Sequence, residues 1–243
     1  MAEIKIGIIV ADDDEYKPLA EKIEQLEFEH YSFLGRRGHK FKVKSGERQA
    51  TVYSLICGIG KVNAAAAAAH FADKQCNIIL NYGLSGGISG VIRGELILNT
   101  KFLEHDFDLS PIGYKLCEKP GQEYIYYSDE TLKKLFMKIL PDVKSGTAVS
   151  GDRFICDEQS RRSLKENFGA KSCDMETAAI AYVCNFSEIP FISLRRISDD
   201  AGNDAVDSYR AMNLSGEAVL SDLVFKFIEE ILNSGFVGKR YES

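Results

Sequence analysis

The segment Val52-Tyr53-Ser54-Leu55-Ile56-Cys57, closed by Gly58-Ile59-Gly60-Lys61, leads into a run from Val62 to Ala72 with alanines at 64–69. It ends in Ile78-Ile79-Leu80-Asn81-Tyr82-Gly83. Short apolar runs bounded by glycine read as buried strands. The alanine-rich run between them reads as a helix whose small side chains permit close packing on a sheet. Strand, helix and strand in this order imply a right-handed crossover and a mainly parallel sheet. The first residues repeat the theme. Ile4-Lys5-Ile6-Gly7-Ile8-Ile9-Val10 is apolar and stops at Ala11-Asp12-Asp13-Asp14-Glu15, as a strand buried on both faces and followed by an acidic helix start would.

Outward from this unit, residues 16–28 read as an amphipathic helix and Leu84-Ser85-Gly86-Gly87-Ile88-Ser89-Gly90 as a glycine-rich loop. The stretch from Ile92 to Tyr127 is rich in strand formers and turns and is expected to continue and bend the sheet. Helices are predicted at 129–139, 157–168, 174–183 and 213–233, with Ser128 and Asp157 as caps of the first two. Strands are predicted at 144–150 and 190–197. With no linker, repeat or low-complexity tract beyond the alanines, the chain is expected to form a single domain over 1–243.

Composition narrows the function. At 243 residues a single fold removes roughly 70–75% of its unfolded surface from water, so no disulfide or metal staple is needed. Lys and Arg number 30 against 36 Asp and Glu, a net charge of −6, which argues against nucleic acid and for a small ligand. No apolar run reaches the roughly 18 residues of a membrane span, and no basic leader precedes the first strand, so a cytoplasmic protein is expected. Cys57, Cys76, Cys117, Cys156, Cys173 and Cys184 are scattered, without a C-x-x-C pair, and read as reduced thiols.

In such a sheet ligands bind where loops converge at the carboxyl ends of strands. Four strand ends carry polar groups there: Asp12 to Glu15, Gly83 to Gly87, Ser150 to Ile155, and Ser198-Asp199-Asp200. The glycine-rich loop lacks both the Gly-Lys-Ser/Thr ending and the G-x-G-x-x-G spacing of phosphate loops, and its plain reading is a turn where the backbone must approach something closely. Glu176 lies in the apolar Asp174-Met175-Glu176-Thr177-Ala178-Ala179-Ile180-Ala181. A carboxylate in such surroundings must find a partner, shift its pKa or face a ligand. Arg195-Arg196 within a strand poses the same question, for which an ion pair is the simplest answer.

Five of these segments in register, namely Lys5-Ile6-Gly7-Ile8-Ile9 with Glu15, Gly58-Ile59-Gly60-Lys61-Val62, Val149-Ser150-Gly151-Asp152-Arg153-Phe154-Ile155, Asp174 to Ala181, and Arg195-Arg196-Ile197-Ser198-Asp199, resemble the 5′-methylthioadenosine/S-adenosylhomocysteine nucleosidases of the nucleoside phosphorylase superfamily. The resemblance runs from residue 4 to about residue 215. It implies an α/β fold: a three-layer α/β/α domain with a central mixed, mainly parallel twisted sheet flanked by helices. It also implies cleavage of an N-ribosidic bond by water, without metal or cofactor. Such a reaction passes through an oxocarbenium-like sugar, so a site must protonate the leaving base, steady the positive ring and supply a nucleophile. By resemblance, Asp199 is the acid that protonates adenine N7, Glu15 accepts a proton from the attacking water, and Arg195 helps to position that water. Glu176 accepts hydrogen bonds from the ribose hydroxyls, Met175 packs on the ribose, Phe154 stacks on the purine and the backbone of Ile155 reads the base edge. Ser85, Gly86, Asp174 and Ser198 belong to the same motifs and are expected at the nucleoside site.

The family's 5′ subsite is apolar and shared with a neighbouring subunit. A homodimer is therefore implied, with Ile59, Leu109 and Tyr209 from one chain and Ile112 and Tyr114 from its partner. Two departures stand out. Leu84 replaces the family's serine, with Ser85 one place later, and Asp12 replaces an apolar methionine. Both touch the water and 5′ side, which keeps another 5′-modified adenosine or a futalosine-type nucleoside in view. A phosphorylase is a further alternative, but Asp12-Asp13-Asp14-Glu15 and Asn81-Tyr82-Gly83 stand where related phosphorylases carry phosphate-binding arginines. A non-catalytic storage-type relative would have lost the carboxylates that Glu15, Glu176 and Asp199 retain.

Overall fold

The computed structural model describes residues 4–211 and 215–241, organised on a ten-stranded mixed sheet. Strand β1 (Ile4–Val10) runs parallel to β4 (Arg48–Ile56) on one side and to β5 (Ile78–Gly87) on the other. Strand β10 (Phe191–Asp199) is parallel to β5 and antiparallel to β6 (Leu96–Glu104). From β6 the sheet continues in parallel through β8 (Lys144–Ser150) to β9 (Ala170–Asp174). Strand β9 then pairs antiparallel with Gly86 and Gly87 of β5, so β5, β10, β6, β8 and β9 close a ring. At the other edge, β2 (Phe28–Phe33) and β3 (Arg36–Ser45) extend β4 in antiparallel fashion, and β7 (Tyr126–Tyr127) pairs with β6.

Alternation along β1 shows why both faces must be covered. Ile4, Ile6, Ile8 and Val10 join a core with α1 (Asp13–Ile23), α3 (Glu130–Ile139) and α7 (Ser215–Ser234). Ile9 faces the opposite core, with α2 (Lys61–Asp73) and α5 (Thr177–Phe186). Gly7 lies on that second face, where a Cβ would sit 2.5 Å from Cδ2 of Phe71 on α2. The buried alanines of α2 meet the equally small Ala178, Ala179 and Ala181 of α5, and this lets the two helices share one face of the sheet. Helix α4 (Glu158–Phe168) and the short α6 (Ala205–Arg210) complete the chain order.

Several boundaries differ from expectation for physical reasons. The helix expected at 16–28 begins at Asp13, because the Asp12 side chain caps it, and it ends at Ile23. The cap of α3 is Asp129 rather than Ser128, whereas Asp157 caps α4 as expected. Residues 83–87 are not a loop but the end of β5, and Asp174 closes β9 before α5 begins at Thr177. The predicted helix at 213–233 begins, within the described residues, at Ser215.

Phe71 is fully buried between α2 and the sheet. Phe71→Ala should lower unfolding stability by about 3–5 kcal/mol in urea denaturation, through lost burial and the cavity left against Gly7.

Candidate active site

Asp174 ends β9 and turns the chain into α5. Its Oδ1 accepts hydrogen bonds from the backbone N–H groups of Glu176 (3.1 Å) and Thr177 (3.0 Å) and from the Ser150 hydroxyl (2.6 Å), and its Oδ2 accepts from the Thr177 hydroxyl. The Ser150 Oγ in turn accepts from Ala178 N at 2.9 Å. The ends of β8 and β9 and the start of α5 are thus fixed around one carboxylate.

Into this corner β10 delivers Arg195, which has no solvent exposure. Its Nη2 lies 3.3 Å from Asp174 Oδ2 and 3.7 Å from Glu176 Oε2. Nη2 also donates to Thr177 Oγ1 at 2.7 Å, and Nη1 donates to the Leu84 carbonyl at 3.2 Å. Burial opposes the charge, but Asp174, Glu176 and Glu15 hold the guanidinium pKa above its ordinary value. A polar column continues below, where Asn81 Oδ1 accepts from Thr177 and Ser193 while Asn81 Nδ2 donates to Ile9 O.

Two buried carboxylates flank the arginine. Glu176 Oε1 accepts from Gly60 N at 2.9 Å, which ties it to the start of α2. Burial pushes its pKa up, Arg195 pulls it back in part, and Asp174 adds to the rise. Glu15 sits in the first turn of α1, where its Oε1 accepts from Leu84 N at 2.7 Å while its buried Oε2 has no partner. Desolvation, then the charge of Asp12, raise the Glu15 pKa to about 8 against the pull of Arg195. Gly83 makes this approach possible, since a Cβ there would lie 2.5 Å from Arg195 Nη1 and 2.7 Å from Glu15 Oε2.

The third acid, Asp199, closes β10. Its Oδ1 accepts from Ala201 N at 2.8 Å and its Oδ2 from the Ser198 hydroxyl. Ala201 holds φ at +53°, a conformation uncommon for a residue with a Cβ, in the turn whose N–H meets the carboxylate. Burial raises the Asp199 pKa, although both hydrogen bonds favour the charged form. A Cβ on Gly86 would lie 3.2 Å from Asp199 Oδ1.

These groups surround a cleft of about 310 Å³ lined by Glu15, Ile59, Ser85, Gly86, Phe154, Ile155, Asp174, Met175, Glu176, Ser198, Asp199 and Tyr209. All twelve were expected at the site from the sequence, and Arg195 stands directly behind them. The Phe154 and Tyr209 rings meet edge to face at 5.6 Å between centroids. The Ser85 hydroxyl is buried and unpartnered in the cleft wall. Leu109, Ile112 and Tyr114 do not line the cleft of their own chain; they lie on the segment after β6, where Ile112 is 70% exposed. Sequence reasoning missed the N–H groups of Gly60 and Leu84, which carry no side-chain signal, and the Thr177–Asn81 column. The cleft also takes in Ala11, Asp12, Leu84, Arg153 and Cys173. Among the described residues no cluster of His, Cys, Asp or Glu is arranged to hold a metal ion, and no helix is long and apolar enough to cross a membrane.

The phosphorylase superfamily model matches residues 5–233 of the chain. The aminodeoxyfutalosine nucleosidase of Campylobacter jejuni is 29% identical over 94% of this chain and 100% of that protein. The 5′-methylthioadenosine/S-adenosylhomocysteine nucleosidase of Staphylococcus carnosus is 34% identical over 82% of this chain and 88% of that protein. In three dimensions the chain superimposes on the crystal structure of the Helicobacter pylori 5′-methylthioadenosine/S-adenosylhomocysteine nucleosidase with a TM-score of 0.88, at 24% identity, covering 95% of this chain and 100% of that one.

The raised pKa of Glu15 has a consequence for stability. Its carboxyl keeps its proton to about 8 in the folded chain against an ordinary value of 4.5. Its favourable contribution is therefore intact below about pH 4.5 and is lost as pH rises through about 8. Glu15→Gln, which keeps the acceptor for Leu84 N, should reduce the fall in urea-unfolding stability between pH 5 and pH 9. An unchanged slope would mean that Glu15 is ionised throughout.

Proposed function

The chain belongs to the phosphorylase superfamily and, within it, to the 5′-methylthioadenosine/S-adenosylhomocysteine nucleosidases, and on that footing we propose that it releases adenine from 5′-methylthioadenosine, S-adenosylhomocysteine or both, with water as nucleophile. The enzyme is an N-ribosyl hydrolase of the nucleosidase type; its substrate is the proposal.

The observation that carries the choice of water is the charge of the cleft. Five carboxylates line it, from Asp12, Glu15, Asp174, Glu176 and Asp199, and the lining cation is Arg153, itself 3.2 Å from Asp157. Arg195 is engaged by Asp174 and Glu176. A phosphate dianion finds no free guanidinium fork here, because Arg195 is already engaged by Asp174 and Glu176, whereas a sugar that becomes cationic meets acceptor oxygens and negative charge.

In this reading the purine lies between Phe154 and the Asp199 end of the cleft. Asp199, its pKa raised by burial, gives its proton to N7, so that neutral adenine departs rather than an anion. Glu176, held by Gly60 N, accepts from the ribose hydroxyls, and its charge favours the oxocarbenium-like ring. The unpartnered Oε2 of Glu15 receives the proton of the attacking water, and Arg195 fixes Glu15 indirectly through Leu84, whose N–H and carbonyl serve the two in turn. With its pKa raised to about 8, Glu15 is a strong proton acceptor in its ionised form, and the charge of Arg195 favours that form.

The 5′ side is open where Ile59 stands 53% exposed. Ile112 and Tyr114 of the partner subunit would cover it in a homodimer. The C. jejuni relative supports a second reading, in which the same bond is cleaved in a futalosine-type nucleoside.

Adenine release from 5′-methylthioadenosine should be the same with and without phosphate. Base formed only with phosphate, together with ribose 1-phosphate, would replace hydrolysis by phosphorolysis. Asp199→Asn should lower kcat by about 10²–10⁴-fold while leaving the unfolding curve near wild type; unaltered turnover removes Asp199 from the mechanism. Ile112→Asp should shift the molecular mass in light scattering from two chains to one and raise KM, and a wild type that is already monomeric would end the homodimer reading.

A further inference from the structure

We propose that Asp12 sets a charge preference at the 5′ end of the cleft, favouring nucleosides whose 5′ substituent carries a cationic hydrogen-bond donor, such as an ammonium group, over those ending in an apolar or an anionic group. The inference rests on the nucleosidase reading and sharpens its substrate class.

Asp12 lines the cleft beside Glu15. One oxygen is committed, since Oδ1 accepts from Glu15 N at 2.9 Å as the cap of α1. Oδ2 meets only the Tyr209 hydroxyl at 3.5 Å, the outer limit of a hydrogen bond. Among the described residues no Lys, Arg or His pairs with this carboxylate. Capping accounts for half of the side chain and leaves the other half directed at the ligand space.

Independent marks of a ligand adjoin it. The Oε2 of Glu15 and the Oγ of Ser85 are buried, unpartnered and in the wall of the same cleft, so a polar molecule belongs there. Asp199 marks the base end; away from it Gly58 N donates to Ala11 O at 2.9 Å, which brings Asp12 alongside the half-exposed Ile59 on the open side left for the 5′ substituent. An apolar wall would accept a neutral alkylthio group at no cost. A half-buried carboxylate without a counter-ion loses hydration when such a group covers it, gains a charge-assisted bond from an ammonium, and repels a second carboxylate.

Three probes of equal chain length test this: 5′-deoxyadenosines bearing 2-aminoethylthio, propylthio or carboxymethylthio groups at C5′. The wild type should show kcat/KM about tenfold higher for the amino than for the propyl compound, and the carboxy compound lowest. Asp12→Asn keeps the cap, because Asn caps as well as Asp, and should bring the amino and propyl compounds to within about twofold. Any effect of the substitution on Glu15 is common to all three probes, so their ratio isolates the 5′ contact. Propyl equal to or better than amino in the wild type, or an order unchanged in Asp12→Asn, overturns the proposal. If no probe yields adenine, the nucleosidase reading fails separately. Calorimetric binding of the three to Asp199→Asn then decides the charge preference by the same order.

Discussion

A guanidinium with no access to water has to be surrounded by acceptors, and the architecture around the cleft follows from satisfying Arg195. Burying such an ion without partners costs several kcal/mol even after relaxation, so the chain brings Asp174, Glu176, Thr177 and the Leu84 carbonyl to it from β9, α5 and β5. Each partner has a second duty. Asp174 caps α5, Glu176 reaches Gly60 at the start of α2, and Thr177 passes the network down to Asn81 and Ser193 in the sheet. The charges proposed to serve the sugar are therefore also the charges that make the arginine tolerable, and neither set can be changed alone.

The electrostatic balance is deliberately short of cations. Glu15 and Glu176 both have raised pKa values because desolvation outweighs what one arginine offers. Burial of this kind disfavours the charged form of both carboxyls, and a ligand with developing positive charge offsets that cost. Binding energy of that kind grows along the reaction coordinate, which is where it accelerates the chemical step.

Legibility from sequence tracked side-chain pattern. The strands β1, β4, β5 and β10 hold apolar runs with glycine or acidic stops, and they stood out. Strand β3 reads Arg36-Arg37-Gly38-His39-Lys40-Phe41-Lys42-Val43-Lys44-Ser45, half solvent-facing, and strand β9 spans only Ala170–Asp174, so neither shows such a run. Residues 83–87 looked like a loop because of their glycines. They are strand because their backbone pairs with β10 and β9, and glycine stands at 83 and 86 because Glu15, Arg195 and Asp199 occupy the room a Cβ would need, reasons visible only in three dimensions. The same holds for Asp174, grouped with the nucleoside site from its motif but spent largely on α5 and Arg195, and for Asp12, whose acidity suggested a helix start and whose free oxygen faces the cleft.

Gly83 and Gly86 lie three residues apart on one strand, and each is pressed by a different carboxylate of the proposed mechanism, Glu15 at the first and Asp199 at the second. At about 3.3 Å of rise per residue, that places the two contacts roughly 10 Å apart along β5. Strand β5 is hydrogen-bonded to β1, β9 and β10, so this spacing is gauged by a strand held within the sheet rather than by the elements that bear the acids. Breathing of α1 or of the turn after β10 can tilt either carboxylate, yet both are referred to a common ruler. The span between the proton given to the base and the proton taken from water should then be among the least variable distances in the enzyme.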